Sequence, residues 1–191
     1  MKVIAVLGDI GSGKSFVAKK FNCPVFNADE EVSIIYNKNY LCFRKLNKEF
    51  PQIVKKFPID KNELIRVLIK NTKNLKRIIK IVHPLVRIEM HKFLNKNRKK
   101  KLVVLDIPLL LENKLNKKNF ILLFINANAK KVKFRLKKRK NFNEKIYKEL
   151  KKLQISLKIK KKLANFEIYN DFKMKNTFEN VKSIKNKILQ R

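Results

Sequence analysis

Val3-Ile4-Ala5-Val6-Leu7 is an unbroken apolar run rich in β-branched residues and closed by Gly8, which predicts a strand buried on both faces, as in a parallel sheet. A helix is predicted from about residue 14 to residue 21. Pro24-Val25-Phe26 then predicts a second short strand running out at Asn27-Ala28-Asp29, which puts Asp29 at a strand's carboxyl end. Over residues 30–97 the pattern turns helical: Leu64, Val67 and Leu68, then Leu75, Ile78, Ile79 and Val82, recur at spacings of three and four, with breaks at Pro51, Pro58 and Pro84. His83-Pro84 reads there as a helix start, with proline in the first turn. Buried strands resume at residues 102–105 and 120–125. Two basic helices follow at 128–139 and 143–163, then a last strand at 166–169 and a closing helix at 177–189. Strands alternating with helices, with a helical block between the second and third strands, predict a doubly wound α/β fold with a parallel sheet and helices on both faces.

One turn in this pattern carries chemistry. Gly8-Asp9-Ile10-Gly11-Ser12-Gly13-Lys14-Ser15 fits G-x-x-x-x-G-K-S/T and lies where the mechanism of that motif needs it, between a buried strand and a helix start. Its glycines let the backbone wrap with N–H groups inward, an anion nest at the positive end of a helix macrodipole. Gly8, Gly11, Ser12 and Gly13 form the nest; Lys14 reaches the β and γ phosphates, the Ser15 hydroxyl takes Mg²⁺, and the Phe16 N–H completes an α-phosphate contact. A bound nucleoside triphosphate accounts for a lysine at a helix N-terminus, where the dipole otherwise disfavours it.

Four further positions are candidates. Asp29 can accept a proton from an attacking hydroxyl or serve only as a helix N-cap. Asp106 follows the third strand and can orient Mg²⁺ or be a turn residue. Arg135 and Arg139, four apart on a predicted basic helix, can clamp phosphate through bidentate contacts or face solvent. His83 and His91 have no carboxylate or thiol pattern around them that suggests a metal centre.

Composition limits the classes. The 191 residues, 45% of them hydrophobic, can build a core, and no apolar run reaches membrane-spanning length. No small-residue cleavage site follows the first apolar run, so a cytoplasmic chain is expected. Cys23 and Cys42 read as reduced thiols. Against 15 Asp+Glu stand 49 Lys+Arg, a net charge of +34. Most of that excess is lysine, found together with abundant Asn, Ile and Phe, a pattern that codon bias toward A and T produces without any nucleic-acid partner. A basic RNA-binding protein with a vestigial nucleotide site remains a rival, although no RNP, KH or zinc-knuckle pattern is present. Another small P-loop kinase is the second rival.

The chain resembles the dephospho-CoA kinases almost end to end. Its loop is similar to the family's G-G-I-G-S-G-K-S, and Val25-Phe26-Asn27-Ala28-Asp29 resembles V-I-D-A-D, whose final Asp is the proposed base. Val82-His83-Pro84-Leu85-Val86 resembles the family's H-P segment. Asp106-Ile107-Pro108-Leu109-Leu110-Leu111-Glu112-Asn113 is similar to D-I-P-L-L-F-E-N, a string generic nucleotide kinases lack. Phe134-Arg135-Leu136-Lys137-Lys138-Arg139 resembles the lid's R-L-x-x-R, and Gln154 matches a glutamine after the lid helix. Departures cluster later: A-D-x-x-I-D-N appears as Ala164-Asn165-Phe166-Glu167-Ile168-Tyr169-Asn170, with two acidic positions lost. In the loop, Asp9 replaces a glycine and Phe16 a threonine.

The resemblance implies a P-loop NTPase-type three-layer fold with a core at about 1–29, 100–128 and 164–191, a helical substrate-binding region at 30–99 and a lid at 129–163. It implies transfer of a phosphoryl group from ATP, with Mg²⁺, to the ribose 3′-hydroxyl of dephospho-CoA. Asp29, Lys14 and Arg139 would be catalytic, and Arg135 and the loop would bind nucleotide. Ser15 and Asp106 would hold the metal. A monomer with no membrane or specific nucleic-acid partner is expected.

Overall fold

The structure, a computed structural model, describes residues 1–139 and 142–190. Residues 140 and 141 of the expected lid and residue 191 of the expected core lie outside the described residues. The chain divides into two units: residues 1–27, 97–142 and 151–191 form the first, and residues 28–96 and 143–150 the second.

The first unit is built on a sheet of β1 (Lys2–Gly8), β2 (Val25–Asn27), β3 (Leu102–Asp106), β4 (Phe120–Asn126) and β5 (Phe166–Tyr169). Their order is β2-β3-β1-β4-β5, and every pairing is parallel. Parallel strands need helical crossovers, which bury both faces of the sheet and explain why β1 and β3 read as continuous apolar runs. Side chains alternate between the faces. Ile4, Val6, Val104, Leu123, Ile125 and Ile168 point into one cluster with Val17 and Ala18 of α1 (Lys14–Lys20), its C-cap Phe21, and Val181, Ile184 and Ile188 of α9 (Met174–Gln190). The unit also contains α6 (Ala129–Lys137) and α8 (Leu157–Leu163), and α8 packs on β1 and β4.

The second unit holds α2 (Ala28–Lys38), α3 (Tyr40–Glu49), α4 (Lys61–Lys70) and α5 (Asn74–Lys96), with α5 packed against the other three. Most of α7 (Glu144–Lys152) belongs to it as well.

Several boundaries differ from those the sequence pattern predicts. Pro84 does not start a helix; it lies inside α5, whose apolar stripe of Leu75, Ile78, Val82, Val86, Met90 and Leu94 is buried along its whole length. Proline deletes the hydrogen bond to the Lys80 carbonyl, but both residues are exposed, so the break falls on the solvent side while the buried stripe carries the helix through. The helix predicted at 143–163 is two, because Ser156 caps α8 by accepting a hydrogen bond from Ile159 N–H at 3.3 Å. Helix α6 stops at Lys137, and α9 begins at Met174, three residues ahead of expectation. Among the described residues no helix is long and apolar enough to cross a membrane.

Candidate active site

At the carboxyl end of the central strand β1, residues 8–13 wrap into a loop that delivers the chain to α1. Ser12 N–H donates to the Asp9 carbonyl at 3.2 Å, closing the turn. Gly13 caps α1 at φ 89°, a left-handed conformation that a side chain rarely adopts. A Cβ there would also lie 2.3 Å from Asn170 Nδ2, so glycine is needed for space as well as for conformation. A Cβ at Gly11 would meet the Leu136 side chain at 2.8 Å, a measure of how closely α6 approaches the loop. The Lys14 side chain is buried, and its ammonium is held over the loop by the Asp9 carbonyl at 2.6 Å and the Gly8 carbonyl at 3.4 Å. A buried ammonium at a helix start, where the macrodipole is positive, concentrates positive charge of the kind an anion seeks.

Asp9 stands where the family has glycine, and an acid here would repel phosphate. Its carboxylate is instead engaged by two donors, Ile10 N–H at 2.7 Å and the Lys151 ammonium, which forms a salt bridge with the same oxygen and offsets its charge. Phe16 leaves its backbone in the first turn of α1 while its ring carries the Lys20 ammonium 5.3 Å from the ring centre. Ser15 is exposed in that turn.

Asp106 ends β3, is buried, and accepts a hydrogen bond from Asn27 Nδ2 at 3.0 Å. The two residues are register partners at the ends of β2 and β3, so the sheet itself sets this contact. With the Ser15 hydroxyl, Asp106 supplies hard oxygen donors of the kind Mg²⁺ takes, and no cluster of three or more acidic, histidine or cysteine side chains exists among the described residues. Oxygen donors of this type suit Mg²⁺ in their chemistry.

Asp29 is not at the end of β2. The strand stops at Asn27 and α2 begins at Ala28, so Asp29 lies exposed in the first turn of α2 and is not its N-cap. Arg135 stacks its guanidinium 4.5 Å from the centre of the Phe172 ring, and the same ring lies 3.6 Å from where a Gly13 Cβ would be. Arg139 falls beyond the end of α6, where its N–H donates to the Leu136 carbonyl, and its side chain is exposed. The two arginines therefore do not share one helical face.

Asn170 and Phe172 were missed as functional candidates. Asn170 is wholly buried at the end of β5, and its Nδ2 donates to the Ser12 carbonyl of the loop at 2.8 Å. Its match to the last residue of the family string was the available signal. The neighbouring departures are structurally benign. Asn165 accepts Leu122 N–H at 2.8 Å through a side-chain oxygen, a role a carboxamide fills as well as a carboxylate. Tyr169 is exposed.

A parallel sheet with this loop at the carboxyl end of its central strand defines a P-loop kinase fold. The comparisons with known proteins narrow the class. The family model described as dephospho-CoA kinase matches residues 2–176. The dephospho-CoA kinase of Bartonella henselae is 35% identical over 186 residues, covering 95% of each chain. The crystal structure of TT1252 from Thermus thermophilus is 25% identical, with a TM-score of 0.77 over 98% of this chain and 97% of that one. A dephospho-CoA kinase from Campylobacter jejuni, 20% identical, shares the fold with a TM-score of 0.67 over 98% of this chain and 97% of its own. The chain belongs to the dephospho-CoA kinase family, a family of phosphotransferases of coenzyme A biosynthesis for which ATP is the implied phosphate donor.

Proposed function

We propose that the protein transfers the γ-phosphoryl group of ATP to the ribose 3′-hydroxyl of dephospho-CoA, giving coenzyme A and ADP, as a cytoplasmic monomer. The observation that carries this reading is the buried Lys14 ammonium held over the phosphate loop by the Asp9 and Gly8 carbonyls. Gly8, Gly11, Ser12, Gly13 and the Phe16 N–H cradle the phosphates, and Lys14 lies against the β and γ groups. Ser15 and Asp106 would hold Mg²⁺, which neutralises charge on the phosphate oxygens. Arg135 binds the nucleotide from its stacked position on Phe172, and Arg139 offsets charge on the transferring group.

Asp29 receives the proton of the attacking hydroxyl. An exposed carboxylate can fill this role, because transfer through a loose transition state asks mainly for positioning. The helical region 30–99 takes dephospho-CoA and the segment 129–163 acts as a lid on the core.

The test is ADP release from ATP and Mg²⁺ with dephospho-CoA, AMP, GMP, dTMP or shikimate as acceptor, run beside Asp29→Asn. Turnover with dephospho-CoA alone, lost in the variant, is the expected result. Turnover on another acceptor would keep the loop assignment and overturn the substrate.

A further inference from the structure

We propose that Asn170 is a positioning residue for the phosphate loop, holding the Ser12–Gly13 peptide in the orientation that aims the Gly13 N–H at phosphate. A trans peptide points its C=O and N–H in opposite directions. Asn170 Nδ2 holds the Ser12 carbonyl at 2.8 Å from outside the loop, and so turns the N–H of the same peptide, that of Gly13, inward. In a nest whose affinity comes from convergent backbone donors, one reversed peptide would present an oxygen to phosphate in place of a proton.

The orientation of the carboxamide follows from its neighbours. Phe172 N–H donates at 3.0 Å to the other end of the side chain, and a backbone N–H can only donate, so the atom facing it is Oδ1 and the atom facing Ser12 is the amide nitrogen. The Thr177 hydroxyl lies 3.3 Å from the same Oδ1. Asn170 N–H is tied to the Asn126 carbonyl at 2.7 Å, which fixes the backbone of the clamp to the end of β4. The side chain is wholly buried, so water does not compete for the Ser12 carbonyl. Gly13 matches this arrangement, since any Cβ there would collide with Nδ2 at 2.3 Å. The end of the last strand, far from the loop in sequence, thereby sets the loop's shape.

This rests on the ATP-binding reading above, so its test reads ATP affinity directly. The full chain is titrated with ATP and Mg²⁺ as the parent, as Asn170→Ser and Asn170→Ala, and as Ile168→Val. The last trims a β5 residue about as buried, two positions ahead of Asn170, with the Asn170 carboxamide left intact. A lost hydrogen bond in a buried site predicts a Kd for ATP raised roughly tenfold in both Asn170 variants. The KM for dephospho-CoA should not change, and Ile168→Val should bind ATP like the parent even where its Tm falls as far. Equal ATP affinity in the parent and the Asn170 variants overturns the proposal, as does a parallel rise in both KM values, equal weakening in Ile168→Val, or failure of both Asn170 variants to fold. A parent that binds no ATP overturns the functional reading itself, and this proposal with it.

Discussion

A carboxylate in the first turn of a helix lies against the positive end of the macrodipole, and Asp29 is such a group, exposed at the start of α2. Its carboxylate stands open to solvent. Asp29→Asn keeps the shape and removes the acceptor; kcat should fall by roughly 10²- to 10⁴-fold with ATP affinity unchanged, as steady-state kinetics beside an ATP titration would reveal. A fall in ATP affinity with kcat retained would make Asp29 a binding residue. The cysteines behave oppositely. Burial pushes the Cys42 thiol up to about 11 with only a partial offset from Lys45, and burial also raises Cys23 against the pull of Lys185. Because the thiolate is the nucleophile, native protein at pH 8 should alkylate slowly at Cys42 and rapidly once unfolded, which timed labelling with iodoacetamide measures. Fast native labelling would contradict the burial.

Among the elements, α8 shows best what was and was not legible in the sequence. The strands β1, β3 and β4 were plain because burial on both faces leaves an unmistakable apolar run. The phosphate loop was plain because its chemistry restricts both residue type and spacing. The break inside 143–163 was hidden because lysines continue across it and Ser156 is a single-residue signal; Pro84 misled because its cost is set by tertiary packing, which periodicity does not weigh. Lys160 lies in the run Lys160-Lys161-Lys162, yet it is 1% exposed and pairs with Glu112 at 2.8 Å. The same Glu112 oxygen accepts Ile155 N–H at 3.1 Å, so the pair fastens the start of α8 to the segment after β3. Removing one partner of a buried pair strands the other charge, and Lys160→Met should cost about 3–5 kcal/mol in urea unfolding. Lys160→Met with Glu112→Leu should recover most of that loss; no recovery would mean that the lysine stem, and not the charge pair, holds α8.

At the scale of the whole molecule, 49 basic and 15 acidic side chains make self-repulsion the dominant long-range term. Short-range pairs such as Lys151 with Asp9 and Lys161 with Glu167 cannot neutralise the excess, because 15 acidic side chains stand against 49 basic ones. Screening shortens the reach of this repulsion from about 30 Å at 0.01 M salt to about 8 Å at 0.15 M. The Tm should therefore rise over that range in sodium chloride, with no substrate present. A Tm that falls would show that attractive pairs outweigh repulsion. The charge also bears on function, since an acceptor carrying phosphates is drawn to such a surface whatever its identity. The most direct measurement is the identity of the product formed from ATP, Mg²⁺ and dephospho-CoA, by mass and by phosphorus NMR. The account predicts ADP and coenzyme A, with one new phosphomonoester on the ribose 3′-oxygen. Unmodified dephospho-CoA, or phosphate released to water, would contradict it.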